Sequence, residues 1–428
     1  MTDLLDDLDA RGLIHATTDR TALAQRLAAG PITLYYGCDP TAPSLHIGNL
    51  IGLLLLRRFQ DAGHRPIALA GGATGMVGDP SGRSEERNLL DDATLTANVA
   101  SIKAQMARIV DLDRAGARLV DNRDWTAGLT LLEFLRDVGK HATVNQMMAR
   151  ESVKARMASE HGISFTEFTY MLLQAHDYLW LHENMEVELQ IGGSDQWGNI
   201  VSGVDLIRRV RGEAAHGLCW PLLLADDGTK LGKTTGARVW LDPELTSPYA
   251  FYQHFVNTDD ASLRRNLAQF TLLPVAEVDD ICAAHESEPG RREGQKRLAQ
   301  EITTLVHGLE HTATAVEATR ILFGGDPRDA SAEALSVVAA EVPSTTLAAA
   351  DDLASGVDLA GVLVSVGLAS SLGDARRALD QRGISVNGVK AEPGATLSGG
   401  DLLHGRWVLL RKGKKGWAVL DGGPARVV

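Results

Sequence analysis

At 428 residues, with 44% hydrophobic and 23% charged residues, the chain has the composition of an ordinary globular protein with room for two or three domains. A net charge of −13 excludes wholesale coating of nucleic acid and leaves space for a local basic patch. Cys38, Cys219 and Cys282 lack paired spacing, which excludes a disulfide framework and a zinc site and points to the reducing cytoplasm. The acidic stretch MTDLLDDLDARGL is not the basic-then-apolar pattern expected of a signal peptide, and no apolar run approaches the length of a membrane span.

Residues 1 to 30 read as one or two amphipathic helices, with Leu4, Leu5, Leu8, Leu23 and Leu27 on the apolar face, closed by Gly30-Pro31. Ile32, Leu34 and Tyr36 then alternate with Thr33 and Tyr35 as in a strand. After the breaker-rich turn Gly37 to Ser44, Leu50 to Leu56 resumes as a buried helix. His46 and Asn49 fall at that helix start, where free amides and the positive dipole end coincide. They suit a phosphate, with Gly48 letting it approach, and they equally suit a helix cap.

A second apolar strand, Ile67 to Ala70, runs into GGATGMVGDPSG, and Arg118 to Asp121 reads as a third. A long helical region covers roughly Leu131 to Met185. A strand from Val187 to Ile191 leads into GGSDQWGN, and a last strand, Leu222 to Leu224, precedes ADDGTKLGKTTG. Strands alternating with helices, with glycines at the strand exits, form the doubly wound α/β pattern, which binds ligands at that edge. Lys230 and Lys233, among Gly228, Gly232 and Gly236, could engage charge that develops in a transition state or could lie in a solvated turn. Asp79 and Asp195, each after a glycine-rich strand exit, fit either a ligand contact or a helix cap.

Taken together, these motifs resemble a family. HIGN at 46–49 and KLGKT at 230–234 look like the two signatures of class I aminoacyl-tRNA synthetases. LYYGCDPTAPSLHIGN, SFTEFTYMLLQAHDY and LQIGGSDQWGNI resemble bacterial tyrosyl-tRNA synthetases almost word for word, over close to the whole chain. The resemblance implies a Rossmann-like doubly wound parallel sheet in a catalytic domain, 1–243. A helical anticodon-side domain, 244–323, a linker, 324–356, and a small S4-like α+β RNA-binding domain, 357–428, would follow. It also implies formation of tyrosyl-adenylate from L-tyrosine and ATP, with Mg²⁺ delivered on the ATP, and transfer to tRNA(Tyr) by a homodimer whose contact includes Phe134 to Met148.

Residue by residue, the resemblance gives Tyr35 and Asp177 the substrate phenol, and Asp79, Tyr170 and Gln174 its ammonium. Asp39 and Gln196 lie near its carboxylate. Tyr170, Gln174 and Asp177 are spaced by four and three, so they share one helix face, with Phe165, Phe168 and Leu172 crowding the neighbourhood. ATP would meet Gly37, Gly48, Gly193 and Asp195, with Thr41, His46, Asn49, Lys230, Lys233 and Thr234 acting on its phosphates. Arg83 and Arg87 add positive charge after GDPSG. The chain departs from the family pattern at Asn49, where histidine is frequent, at Leu231, and at Tyr36, where some relatives carry a ribose-contacting cysteine.

Residues 357 to 428 hold ten Lys or Arg against six Asp or Glu, a basic excess in an acidic chain. SLGDARRALDQRGISVNG resembles an S4 module, which implies that Arg376, Arg377 and Arg382 face RNA phosphates and that Arg411, Lys412, Lys414 and Lys415 form a second patch.

Overall fold

Six strands form the first sheet: β1 Ala16–Thr17, β2 Thr33–Cys38, β3 Arg65–Ala70, β4 Arg118–Asp121, β5 Val187–Gly193 and β6 His216–Trp220, in the order β1-β6-β5-β2-β3-β4. All neighbours are parallel except β1, which pairs antiparallel with β6 at one edge. They belong to a computed structural model that describes residues 3–81, 90–114, 116–158, 162–222, 238–346, 353, 356–413 and 416–423. By compactness the chain divides into one unit of Met1–Ser247 with His254–Val306 and another of Pro248–Gln253 with His307–Val428. Among the described residues, no helix is long and apolar enough to cross a membrane.

The winding reverses between β2 and β5, so the crevice at their carboxyl ends is the place where a doubly wound sheet binds its ligand. β2 does not behave as the half-exposed strand its alternation suggests. Thr33 to Tyr36 are all buried, because parallel neighbours flank it and helices cover both faces. Helix α1, Ile47–Asp61, lies on it so closely that a Cβ at Gly52 would sit 2.4 Å from the Tyr36 ring.

Two other expectations need correcting. A strand at His216–Trp220 precedes the expected Leu222 to Leu224 and ends at Pro221, which has no N–H to donate to a ladder; Leu222 belongs to no strand, and Leu223 and Leu224 lie outside the described residues. The region from Leu131 to Met185 is broken into short turns before α2, Phe165–Met185, begins at the Ser164 cap, whose hydroxyl accepts from Glu167 N at 3.2 Å. Buried Arg156 and Glu167 pair at 2.6 Å and fix the first turn of α2 to the helix Glu151–Met157. A further helix, α3 Trp197–Arg211, packs against α2.

The second unit contains a sheet of β7 Ser344–Thr346, β8 Ile384–Val386, β9 Val389–Lys390, β10 Trp407–Lys412 and β11 Gly416–Asp421, in the order β9-β8-β10-β11-β7. Asn387 and Gly388, at φ 46° and 84°, make the two-residue turn between β8 and β9. Leu359, Leu363, Leu379, Val408 and Leu410 supply its core. The segment read as a linker therefore holds a helix, Ala332–Glu341, and the strand β7, which pairs in parallel with β11.

Candidate active site

One cavity of about 330 Å³ opens at the carboxyl ends of β2 and β5. β2 and the turn after it bring Tyr35, Gly37, Asp39 and Thr41 to its wall, and the start of α1 brings His46, Gly48 and Asn49. The exit of β3 contributes Asp79, α2 contributes Tyr170, Gln174 and Asp177, and the exit of β5 contributes Gly193, Asp195 and Gln196. Lys230, Lys233, Thr234, Arg83 and Arg87 lie outside the described residues.

At the closed end, Tyr35 and Asp177 are almost fully buried. Asp177 accepts from Asn122 Nδ2 at 2.9 Å and from Trp125 Nε1 at 2.8 Å, one donor on each oxygen. Burial pushes its carboxyl up to about 7, and the two donors only partly offset that effect. Burial, with Asp177 second, holds the Tyr35 hydroxyl well above its ordinary pKa, and that hydroxyl has no hydrogen-bond partner among the described residues.

Further out, Tyr170 donates to Asp39 Oδ2 at 2.8 Å, and the Thr74 hydroxyl donates to Asp39 Oδ1 at 2.7 Å. With its proton so committed, the Tyr170 oxygen keeps its lone pairs for a cationic donor. Asp79 accepts from Gln196 Nε2 at 2.5 Å and from Asn199 Nδ2 at 3.4 Å; Asn199 Nδ2 also reaches Gln174 Oε1 at 3.0 Å. Asp39, Asp79 and Asp177 all line this part of the cavity, which suits it to a positive group. Phe165, expected to crowd this helix face, is instead 77% exposed, whereas Leu172 is buried.

At the helix start the capping role is present, which leaves the other ring nitrogen of His46 for a ligand. Gly48 N donates to His46 Nδ1 at 3.0 Å and His46 N donates to Asn49 Oδ1 at 3.1 Å, a reciprocal capping box. The Gly48 amide is therefore occupied. A Cβ at Gly48 would lie 2.8 Å from His46 Cε1, so glycine leaves room for the capping ring. Burial, then the charge of Arg238, pushes the His46 imidazole down to about 4. The neutral ring accepts at Nδ1, so its proton sits on Nε2, which becomes a donor.

Several residues that build the site escaped the sequence reading. Asn122 and Trp125 follow β4, and only the sheet's strand order brings them beside Asp177. Gln190 is in register with Tyr35, is buried, and its Oε1 has no partner among the described residues. Glu188 and Gln190 alternate with Val187, Leu189 and Ile191, so the pattern carried no signal that Gln190 faces the cavity.

In the second unit, Arg376 and Arg377 are exposed on α4, Leu372–Asp380. Arg382 is exposed and paired with Glu392 at 3.1 Å. Arg411 and Lys412, expected on an open patch, are half-buried. The Arg411 guanidinium lies 4.9 Å from the ring centroid of Trp417, its cross-strand partner on β11, and Lys412 pairs with Asp374 of α4 at 3.2 Å. Lys414 and Lys415 lie outside the described residues.

Fold and site together define a class of protein. The family model of class I tRNA synthetases (W and Y) matches residues 27–324, and the chain belongs to that family. A second model, the SYY-like C-terminal domain of tyrosine–tRNA ligase, matches residues 334–420. The tyrosine–tRNA ligase of Opitutus terrae is 53% identical over 97% of this chain and 99% of its own length, and that of Anaeromyxobacter dehalogenans is 50% identical over 98% and 99%. A C-terminally truncated mitochondrial tyrosyl-tRNA synthetase of Aspergillus nidulans superposes with a TM-score of 0.69 at 33% identity, covering 76% of this chain and 95% of that one. Within its class the chain is thus a bacterial-type tyrosine–tRNA ligase, which joins tyrosine to tRNA with ATP as substrate.

Proposed function

We propose that the inner cavity holds L-tyrosine and the capped helix start holds ATP, so that the tyrosine carboxylate attacks the α-phosphorus and pyrophosphate leaves. The terminal adenosine of tRNA(Tyr) then takes the tyrosyl group and AMP departs. Asp177 accepts a hydrogen bond from the substrate phenol and Tyr35 supplies a hydroxyl. Asp79, Tyr170 and Gln174 take the ammonium, while Asp39 orients Tyr170 and Gln196 braces Asp79. His46 Nε2–H and Thr41 meet the phosphates, Asn49 fixes the His46 backbone, and Gly193 with Asp195 borders the nucleoside. Mg²⁺ enters as part of the substrate, chelated by the ATP phosphates. The substrate brings its own nucleophile, so positioning and electrostatic stabilisation carry the rate.

The observation that carries this reading is the buried Asp177 acceptor facing Tyr35 at the closed end, with further carboxylates midway along the cavity. Exchange of pyrophosphate into ATP should depend on tyrosine and not on tryptophan or phenylalanine. Equal exchange with tryptophan would refute it. In the same assay, Lys233→Ala should slow adenylation by about 3 kcal/mol in the barrier while leaving tyrosine affinity nearly unchanged. An unaltered single-turnover rate would remove the lysine from the reaction.

We further propose a cytoplasmic homodimer joined through the surface around Phe134 to Met148, with catalysis in 1–243 and RNA binding shared by 244–323 and 357–428 across the 324–356 connection. Leu131, Leu132, Leu135 and Val144 are at least half exposed around that surface, more apolar area than a lone subunit normally leaves in water. Sedimentation should give a dimer at micromolar concentration, and Leu132→Glu with Leu135→Glu should dissociate it. A monomeric parent protein would contradict the proposal.

A further inference from the structure

The mouth of the cavity carries a cation outside every motif discussed above. Backbone bonds clamp the segment Val239 to Leu241 against the entry to α1: Ile47 N donates to Val239 O at 3.2 Å and Leu241 N to Leu45 O at 2.9 Å, with His46 and Trp240 paired across the bridge. Trp240 N also donates to Thr246 Oγ1 at 3.0 Å. On this anchored strip, the Arg238 guanidinium lies 4.9 Å from the Trp240 ring centroid, and the His46 ring lies 6.2 Å from the same indole. Arg238, Trp240 and His46 all line the cavity.

Most arginines of this acidic chain lie against carboxylates, but Arg238 has no ion-pair partner among the described residues. Stacking on an indole orients the planar fork without occupying its N–H groups, so they stay available to an anion. The neutral His46 next to it offers one donor and no charge. Something else on the described wall must then neutralise an anion at the helix start. Arg238 is placed to do so.

We propose that Arg238 binds the β- and γ-phosphates of ATP, and the pyrophosphate they become, as a charged partner to His46. The inference rests on the reading that puts ATP at the helix start. A guanidinium fork takes two phosphate oxygens at once, and the bridging oxygen that breaks from the α-phosphorus leaves as part of a dianionic or more highly charged group. Stabilisation therefore grows as the bond breaks and persists in the product.

The test uses the full-length protein with Arg238→Ala and Arg238→Lys, each measured for pyrophosphate binding by calorimetry, for the ATP KM in tyrosine-dependent exchange, and for tyrosine affinity. Arg238→Ala should weaken pyrophosphate binding and raise the ATP KM roughly tenfold, with tyrosine affinity and melting temperature unchanged. The loss should shrink as KCl is raised, because the interaction removed is ionic. Arg238→Lys should restore only part of it, as a point charge without the fork. Unchanged pyrophosphate affinity in Arg238→Ala would overturn the proposal, and so would an equal loss of tyrosine affinity, which would mark a merely structural contact. Failure of the parent reading looks different: the unsubstituted protein would then show no tyrosine-dependent exchange, while the calorimetry would still decide whether Arg238 holds pyrophosphate.

Discussion

Asp177→Asn should abolish most of the preference for tyrosine over phenylalanine, although the substitution changes only one atom type. Both oxygens of Asp177 already accept from donors that cannot reverse. The Trp125 indole is donor-only, and Asn122 has its own oxygen fixed by Ala73 N at 2.7 Å. An amide at 177 offers one acceptor and one donor, so in either orientation its NH₂ faces another N–H. One buried donor is left unsatisfied, worth roughly 1–3 kcal/mol, and the substrate phenol loses its carboxylate acceptor. The ratio of exchange efficiencies for the two amino acids should fall at least about tenfold, with a lower melting temperature. A variant that kept the ratio would place recognition elsewhere. The pH dependence has a defined sign. The folded-state pKa is raised to about 7, so the folded chain keeps a proton that the unfolded chain has lost; the associated stability is full below about 4 and disappears as pH rises through 7. Melting curves between those limits should show that slope in the parent protein and a shallower one in Asp177→Asn.

Removal of residues 343–428 should leave adenylate formation nearly intact and lower tRNA charging by roughly a hundredfold or more, since exposed Arg376 and Arg377 go with the basic tail. The cut belongs before Ser344. β7 pairs with β11 through Ser344, Thr345 and Thr346, so a cut at 350 would strand an edge whose partner had been deleted. Charging measured on parent and truncated protein at two salt concentrations decides the matter: the salt dependence should flatten when the tail is removed. If charging survived with its slope unchanged, the tail would not bind RNA.

The strand ends that carry the site were legible because apolar runs stop abruptly in Gly, Pro and Asp, as at Gly37 to Pro40 and Gly192 to Asp195. The resemblance then supplied roles that spacing alone left divided, as at His46, where ligand contact and cap looked equally fitting. What stayed hidden depends on contacts remote in sequence. Asn122 and Trp125 reach Asp177 across more than fifty residues, and Gln190 meets the cavity only because β5 lies in register beside β2. The two-residue β1 is too short for any periodicity, and His216–Trp220, buried throughout, shows no alternation by which to place its ends.

The unpartnered hydroxyl of Tyr35 sets the empty enzyme against itself. A buried polar group without a partner weakens the fold, and in the binding mode proposed above the substrate hydroxyl would satisfy this one. Heat resistance and ligand recognition should therefore pull in opposite directions at this position. Tyr35→Phe should melt at a higher temperature than the parent when no amino acid is present, yet gain less from added tyrosine, because stabilisation by a ligand follows its affinity. Two thermal denaturation curves per protein, with and without tyrosine, would show the crossing. An evolutionary search for heat tolerance alone would be expected to discard that hydroxyl early.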